Sequence, residues 1–118
     1  MHRLSVLVVD DDPSIRRMVS EVLDLEGYSV ATAANGVEAL RSIEEQRPSL
    51  VLLDMRMPLM DGWGFARELK TRGVKLPILV MTAAGSARAW AAEINADAYV
   101  AKPFDLADLV AAVERLAA

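Results

Sequence analysis

The chain has 118 residues, 53% of them hydrophobic, which suits a single domain over residues 1–118 with one well-filled core. Its formal net charge of -4 disfavours direct, non-specific binding to nucleic acid or to an anionic membrane. It has no cysteine and one histidine, so it offers neither a disulfide nor a thiolate zinc site, and any metal site would need oxygen ligands. No apolar run near the start approaches the roughly 20 residues of a membrane span, so we expect a cytoplasmic protein.

Short apolar runs alternate with amphipathic helical patterns along the whole chain. The predicted strands cover residues 6–9, 28–33, 50–53, 78–81 and 98–101. The predicted helices cover residues 13–27, 35–48, 63–71, 86–94 and 105–116. Five strands thus alternate with five helices, without a linker or a repeat.

Capping residues and helix breakers support the predicted boundaries. Asp12 stands before Pro13, which makes Asp12 an N-cap and Pro13 the first helical residue, so Asp12 is assigned to capping rather than to a ligand role. Gly27 and Pro48 end the first two helices. Residues 28–33 alternate polar and apolar side chains, which is typical of a partly exposed edge strand.

The strict alternation predicts how the elements are arranged in space. Short connections require right-handed parallel crossovers, hence a doubly wound α/β sheet with helices on both faces. In the flavodoxin-like order 2-1-3-4-5, strands one and three are neighbours, and ligands bind at their carboxyl ends. That edge would collect Asp10 and Asp11 after strand one, Asp54 after strand three, Thr82 after strand four and Lys102 after strand five.

The three carboxylates give this edge a definite chemistry. At a separation of about 4 Å and an effective dielectric near 20, each pair would repel by about 4 kcal/mol, so a cation would stabilise the cluster. An all-oxygen site suits Mg²⁺. A carboxylate at a strand end can attack phosphorus once the phosphoryl charge is neutralised, which makes Asp54 the candidate nucleophile. Lys102 would bind one phosphoryl oxygen and Thr82 would donate to another. If Asp10 and Asp11 formed a plain polar turn, the positions of Asp54, Thr82 and Lys102 at matching strand ends would be unexplained.

Side chains outside this set are assigned to packing. We expect the three aromatic residues Trp63, Phe65 and Trp90 to pack against the core. His2 is expected to be an untethered terminal residue.

Several short motifs occur in a fixed order along the chain. They are Val8-Val9-Asp10-Asp11, Asp54-Met55-Arg56-Met57-Pro58, Asp61-Gly62, Thr82-Ala83 and Ala98-Tyr99-Val100-Ala101-Lys102-Pro103-Phe104. Each motif is weak alone, but together they are highly specific. Through them the chain resembles, over practically its whole length, a response-regulator receiver domain of two-component signalling, a CheY-like family.

The resemblance implies a phosphorylation-dependent signalling switch rather than a metabolic enzyme. Asp54 would accept a phosphoryl group from the phosphohistidine of a sensor histidine kinase or a phosphotransfer protein. The family implies that Mg²⁺ is held by Asp10, Asp11 and Asp54 and by the backbone carbonyl of Arg56.

The resemblance also implies how the signal is transmitted. Lys102 and Thr82 would contact the phosphoryl group. Thr82 would then be drawn inward and Tyr99 would change rotamer, which remodels the face around the fourth helix for a downstream effector or output domain. The bond between Lys102 and Pro103 is usually cis in receivers.

The chain departs from the family pattern between Thr82 and Lys102. This segment is slightly shorter than in common receivers and rich in small side chains, so the family's mode of dimerisation is not predicted here. Ala84 and Arg56 stand at the two positions that tune dephosphorylation in this family. Because Ala84 cannot position an attacking water, we expect slow hydrolysis, with Arg56 covering the phosphoryl group.

Two other functions remain open at this point. Asp10, Asp11 and Asp12 also match the start of a haloacid-dehalogenase-type phosphatase, although that interpretation leaves Asp54 unexplained and lacks a distal acidic pair. A pseudo-receiver, a folded binding module without phosphorylation chemistry, is the second alternative. The intact acid set argues against it.

Overall fold

The computed structural model describes residues 4–118, and the expectation for His2 lies outside them. Its strands are β1 Ser5–Val9, β2 Ser29–Ala33, β3 Leu50–Asp54, β4 Ile78–Ala83 and β5 Ala98–Lys102. Its helices are α1 Pro13–Leu25, α2 Gly36–Glu45, α3 Gly62–Thr71, α4 Ala87–Glu93 and α5 Leu106–Ala117. The predicted alternation of strands and helices is confirmed.

The five strands form one parallel sheet in the order β2-β1-β3-β4-β5, as predicted. Strand β1 lies between β2 and β3, so the chain reverses its direction of winding beside β1 and β3. The carboxyl ends of β1 and β3 therefore flank the switch point of a doubly wound sheet.

Side chains of alternate strand residues fill two separate cores, one on each face of the sheet. On one face, Leu7 and Leu53 pack with Phe65 of α3 and with apolar residues of α2 and α4. On the other face, Leu52 and its neighbours pack with Leu109 of α5 and with apolar residues of α1. All five residues of β3 are buried, whereas Ala33 is the one buried residue of β2, which confirms β2 as an edge strand.

Helix starts follow the predicted capping chemistry. The Asp12 carboxylate accepts a hydrogen bond of 2.8 Å from the Ser14 N–H, so the capping role is confirmed. Asn35 caps α2 by accepting from the Glu38 N–H at 2.9 Å. Helix α4 differs, because Ser86 at its N-cap position makes no side-chain capping bond.

The loop between β3 and α3 is tightly packed beneath the carboxyl edge of the sheet. The Gly62 N–H donates to the Met55 carbonyl at 2.9 Å, and a Cβ on Gly62 would lie 2.5 Å from the Met55 sulfur and 2.9 Å from its Cα. Only a hydrogen in place of a side chain allows this approach. The turn that follows the last residue of β3 is therefore fixed by packing.

Strands β1, β3, β4 and β5 are each one or two residues longer than their apolar runs predict. Strand β4 continues through Thr82 to Ala83, and β5 includes Lys102, because backbone pairing extends from Thr82 opposite Ala101 to Ala83 opposite Lys102. Thr82 and Lys102 thus belong to the strands rather than to the loops after them. None of the helices within residues 4–118 has the length and hydropathy needed to cross a bilayer.

Candidate functional site

Asp10 occupies the centre of the carboxyl edge and has no exposed surface. It follows directly on β1, and its N–H donates to the Ala33 carbonyl of the neighbouring strand at 3.1 Å. One carboxylate oxygen accepts from the Asp12 N–H at 2.9 Å, and the other accepts from the Lys102 ammonium at 2.7 Å. Both oxygens are thus held in fixed positions.

The three predicted acids meet at this edge. One carboxylate oxygen from each of Asp10, Asp11 and Asp54 lies within 4.8 Å of the others. Asp10 and Asp54 are buried, whereas Asp11 is exposed. The structure therefore brings together the carboxylates that the sequence placed after β1 and at the end of β3, with one of them open to solvent.

The environment of Asp54 makes its charged form unfavourable. Burial is the largest cause that raises the pKa of Asp54 from 3.8 to about 6, and the charge of Asp10 acts in the same direction. Lys102, whose ammonium lies 3.6 Å from the Asp54 carboxylate, lowers this pKa, and the nearby Asp11 raises it. A hydrogen bond of 2.9 Å from the Met55 N–H also lowers it. Burial and the charges of the other two acids therefore raise the pKa more than Lys102 and the Met55 N–H lower it.

Lys102 and Thr82 flank the acid cluster on the two strands beyond β3. Lys102 is the last residue of β5 and bridges Asp10 and Asp54. Thr82 is buried in β4, one residue beyond Met81, which pairs with Asp54. The peptide bond between Lys102 and Pro103 is cis, as the resemblance implied.

Tyr99 lies in β5 and is 46% exposed, so it is outside the acid cluster. Its register partner is Val80, whereas Thr82 pairs with Ala101. The two residues thus lie on adjacent strands, offset by two residues.

Arg16 is a contact that sequence reasoning missed. Its guanidinium donates to the Asp10 backbone carbonyl at 2.6 Å, which ties the first turn of α1 to the residue after β1. An arginine four residues after an N-cap was the available signal, although its orientation depends on how α1 is rotated. Arg16 therefore supports the backbone beneath the acids.

The Arg56 side chain lies against Trp90. Its guanidinium carbon lies 5.1 Å from the centre of the Trp90 ring, within the range of a cation–π contact. Trp90 in turn meets Trp63 edge to face, with ring centres 4.9 Å apart. Phe65 lies in the core, and the two tryptophans pack against its margin and meet edge to face, so all three aromatic residues pack as predicted.

The donor set fits a hard divalent cation. Three carboxylates supply oxygen ligands alone, one of them faces solvent, and the repulsion that raises the pKa of Asp54 would be relieved by positive charge. The same edge holds Lys102, whose ammonium can also bind an incoming anion. The arrangement can therefore hold a cation and an incoming phosphoryl group side by side.

Comparison with known proteins agrees with this geometry. The family model described as the response regulator receiver domain matches residues 6–114. The chain belongs to this family. Receiver domains are signalling modules of two-component systems rather than metabolic enzymes, and the fold with its strand order is the one expected for them.

Relatives of this receiver domain include longer regulators. It is 42% identical over 118 residues to a protein of Cyanophora paradoxa named probable transcriptional regulator ycf27, covering 98% of this chain and 49% of that protein. It is 44% identical over 113 residues to the response regulator MprA of Mycobacterium sp. (strain KMS), covering 94% of this chain and 49% of MprA. The receiver domain thus spans about half the length of these curated relatives.

Solved structures show the same fold. The chemotaxis protein CheY4 of Vibrio cholerae superposes with a TM-score of 0.89 at 34% identity, covering 98% of this receiver and 99% of that chain. NtrX from Brucella abortus, crystallised with ATP, superposes with a TM-score of 0.89 at 30% identity over 98% of this receiver and 27% of that chain. The fold therefore occurs both alone and within larger proteins.

Proposed function

We propose that Asp54 accepts a phosphoryl group from the phosphohistidine of a sensor histidine kinase or a phosphotransfer protein. A carboxylate oxygen of Asp54 attacks phosphorus, the new P–O bond forms as the P–N bond breaks, and the histidine leaves with the electron pair and takes up a proton. The convergence of three carboxylates within 4.8 Å beside the Lys102 ammonium carries the proposal.

Each residue at this edge would have its own role in phosphoryl transfer. Asp10, Asp11 and Asp54, with the backbone carbonyl of Arg56, would hold Mg²⁺. When bound, this ion would neutralise charge on the phosphoryl oxygens. Lys102 would bind a phosphoryl oxygen once its contact with the carboxylates is exchanged for one with phosphate.

The readout of phosphorylation would start at Thr82 and Tyr99. Thr82 is buried beside the residue that pairs with Asp54, so its hydroxyl can donate to a phosphoryl oxygen after a small movement. Tyr99 is half exposed on the adjacent strand and can change rotamer without opening a core. The altered surface would bind a downstream effector or output domain.

Intact-mass measurement after incubation with acetyl phosphate and Mg²⁺ tests the acceptor. The wild-type chain should gain one phosphoryl group, and Asp54→Asn should gain none. Asp12→Asn is the matched control, because asparagine caps a helix as well as aspartate does and Asp12 adjoins the cluster without joining it. No gain by the wild-type chain, where other receivers are labelled, would refute the proposal and favour a pseudo-receiver.

A phosphoester assay addresses the phosphatase alternative. Asp10 would be its nucleophile, yet Asp10 is fully buried and both of its carboxylate oxygens already accept hydrogen bonds. We therefore expect no steady turnover of a small phosphoester. Turnover that needs Asp10 but persists in Asp54→Asn would establish the phosphatase instead.

The phosphorylated state should be long-lived. Ala84, two residues beyond Thr82, is exposed and carries only a methyl group, so it cannot orient a water for attack on phosphorus. Loss of the phosphoryl group, followed by intact mass after removal of acetyl phosphate, should take much longer than seconds. A half-life of seconds in the purified protein would contradict this expectation.

A further inference from the structure

A chain of side-chain contacts runs from the loop beside Asp54 to helix α4. Arg56, two residues beyond Asp54, stacks over Trp90 of α4 at 5.1 Å. Trp90 packs edge to face on Trp63 of α3, and the Trp63 indole N–H donates to Glu93 of α4 at 3.0 Å. The contacts therefore join the β3–α3 loop, α3 and α4.

Helix α4 packs on β4 and β5, but its own sequence gives it little stability, which makes the stack important to it. It has seven residues, fewer than any other helix within residues 4–118, and Ser86 gives it no side-chain cap. Its buried residues are Ala87 and Ala91, whose small side chains remove little apolar area from water. A helix of this length is unstable without tertiary packing. The large ring of Trp90 is therefore a main attachment of α4.

We propose that Arg56 and Trp90 form a switch that couples a phosphoryl group on Asp54 to the anchoring of α4. Without the phosphoryl group, Arg56 stacks on Trp90 and fixes its ring. With the group in place, Arg56 leaves the ring for the phosphoryl oxygens and α4 becomes less tightly held. This inference rests on the proposed phosphorylation of Asp54.

The relative strength of the two contacts gives the switch its direction. Arg56 is exposed, and a cation–π contact at an exposed site is weak. A phosphoryl group carries between one and two negative charges and accepts bidentate, charge-assisted hydrogen bonds from a guanidinium, which are stronger. Arg56 lies two residues beyond Asp54, and its long, flexible stem would carry the guanidinium from one position to the other by side-chain rotation. The stronger contact wins once the phosphoryl group forms.

Amide hydrogen exchange of residues 87–93, measured with intact mass on the same samples, tests the switch. Phosphorylation with acetyl phosphate and Mg²⁺ should speed exchange in α4 by about 2- to 5-fold, the size expected for losing one exposed cation–π contact. Arg56→Met keeps the aliphatic stem and removes the charge. Its α4 should exchange at the faster rate before phosphorylation and change little afterwards.

Two further variants separate the switch from a merely structural effect. Arg56→Lys keeps a cation that can lie over an indole, so phosphorylation should speed α4 exchange more in this variant than in Arg56→Met, but less than in the wild type. Arg88→Met is the matched control, because Arg88 is an exposed arginine of the same helix outside the stack, and it should respond as the wild type does. In a Trp63→Phe background, Trp90 is the remaining tryptophan, and its fluorescence should change on phosphorylation in the Arg56 protein but not in Arg56→Met.

The outcomes distinguish this inference from the function on which it rests. A wild-type chain that gains no phosphoryl group overturns the proposed function and the switch with it. A chain that gains the group but shows unchanged α4 exchange overturns the switch alone. The switch alone is also overturned if Arg56→Met responds to phosphorylation as strongly as the wild type.

Discussion

Replacing Asp54 with asparagine should stabilise the protein when no divalent cation is present. Asp54 is 6% exposed, and burial followed by the charge of Asp10 raises its pKa from 3.8 to about 6. A shift of about 2 pKa units corresponds to about 2 to 3 kcal/mol of folding free energy lost when the carboxyl ionises. Asparagine keeps an oxygen that can accept from the Met55 N–H without carrying that charge.

The pH dependence gives this prediction its sign. Between pH 4 and pH 6 the folded state holds the Asp54 proton more tightly than the unfolded state, so the free energy of unfolding falls as the pH rises through this window. Well above pH 6 the carboxyl is ionised in both states and the loss is complete. The free energy of unfolding of Asp54→Asn should therefore match that of the wild type near pH 4 and exceed it by about 2 to 3 kcal/mol at pH 8.

Urea unfolding in the presence of EDTA, followed by circular dichroism from pH 4 to pH 8, measures this difference. Glu21→Gln provides the matched control, because Glu21 is exposed on α1 away from the cluster and should change stability by less than about 0.5 kcal/mol. Added Mg²⁺ should stabilise the wild type by about 2.7 kcal/mol at 100 times its dissociation constant, and Asp54→Asn by less. If Asp54→Asn is less stable than the wild type at pH 8, or shows the same fall between pH 4 and pH 6, the electrostatic argument is wrong.

Three further substitutions test other parts of the structure by urea unfolding. Lys102→Met removes the ammonium that lies 2.7 Å from the fully buried Asp10 carboxylate, and it should lower the free energy of unfolding by about 2 to 3 kcal/mol at pH 7. An unchanged urea midpoint would show that this ion pair does not stabilise the fold. Gly62→Ala places a Cβ 2.9 Å from the Met55 Cα and should cost about 2 to 3 kcal/mol of stability. Gly64→Ala is the control, because its Cβ would lie 3.2 Å from the flexible Met60 side chain and the change should be nearly neutral. Equal effects of the two substitutions would contradict the packing argument. Asp12→Ala removes the cap of α1 and should cost about 1 kcal/mol, and a loss below about 0.3 kcal/mol would show that the cap is redundant.

The sheet and the acid cluster were predictable because they follow from short-range pattern and topology. Apolar runs end at Asp10 and at Asp54, and parallel strands joined by short crossovers place both ends at one edge. The convergence of the acids needs no side-chain detail. Once the strand order is known, each strand end has one place to lie.

The contacts of Arg16, Arg56 and Trp90 could not be predicted from the sequence for a physical reason. Each depends on the rotation of a helix or on the path of a loop, and a rotation of one residue position would turn the side chain away. The Arg16 bond to the Asp10 carbonyl needs the observed start of α1 at Pro13. Hydrophobic periodicity sets which face of a helix is buried, but it does not fix such angles.

The sequence pattern supported the boundaries of helix α4 least, and the physical reason for this bears on its function. The features that blur its boundaries are small buried side chains, an uncapped start and a preceding glycine, Gly85, at a φ of 87°. Because the buried side chains of α4 are small, its apolar contacts cost little free energy to break when it moves. Elements that respond to a ligand come from the weakly anchored part of a fold, because a modest change in contact energy can shift only such an element. A side chain two residues from Asp54, such as Arg56, can therefore influence α4, whereas β3, which carries Asp54, is buried at all five residues and is more firmly anchored.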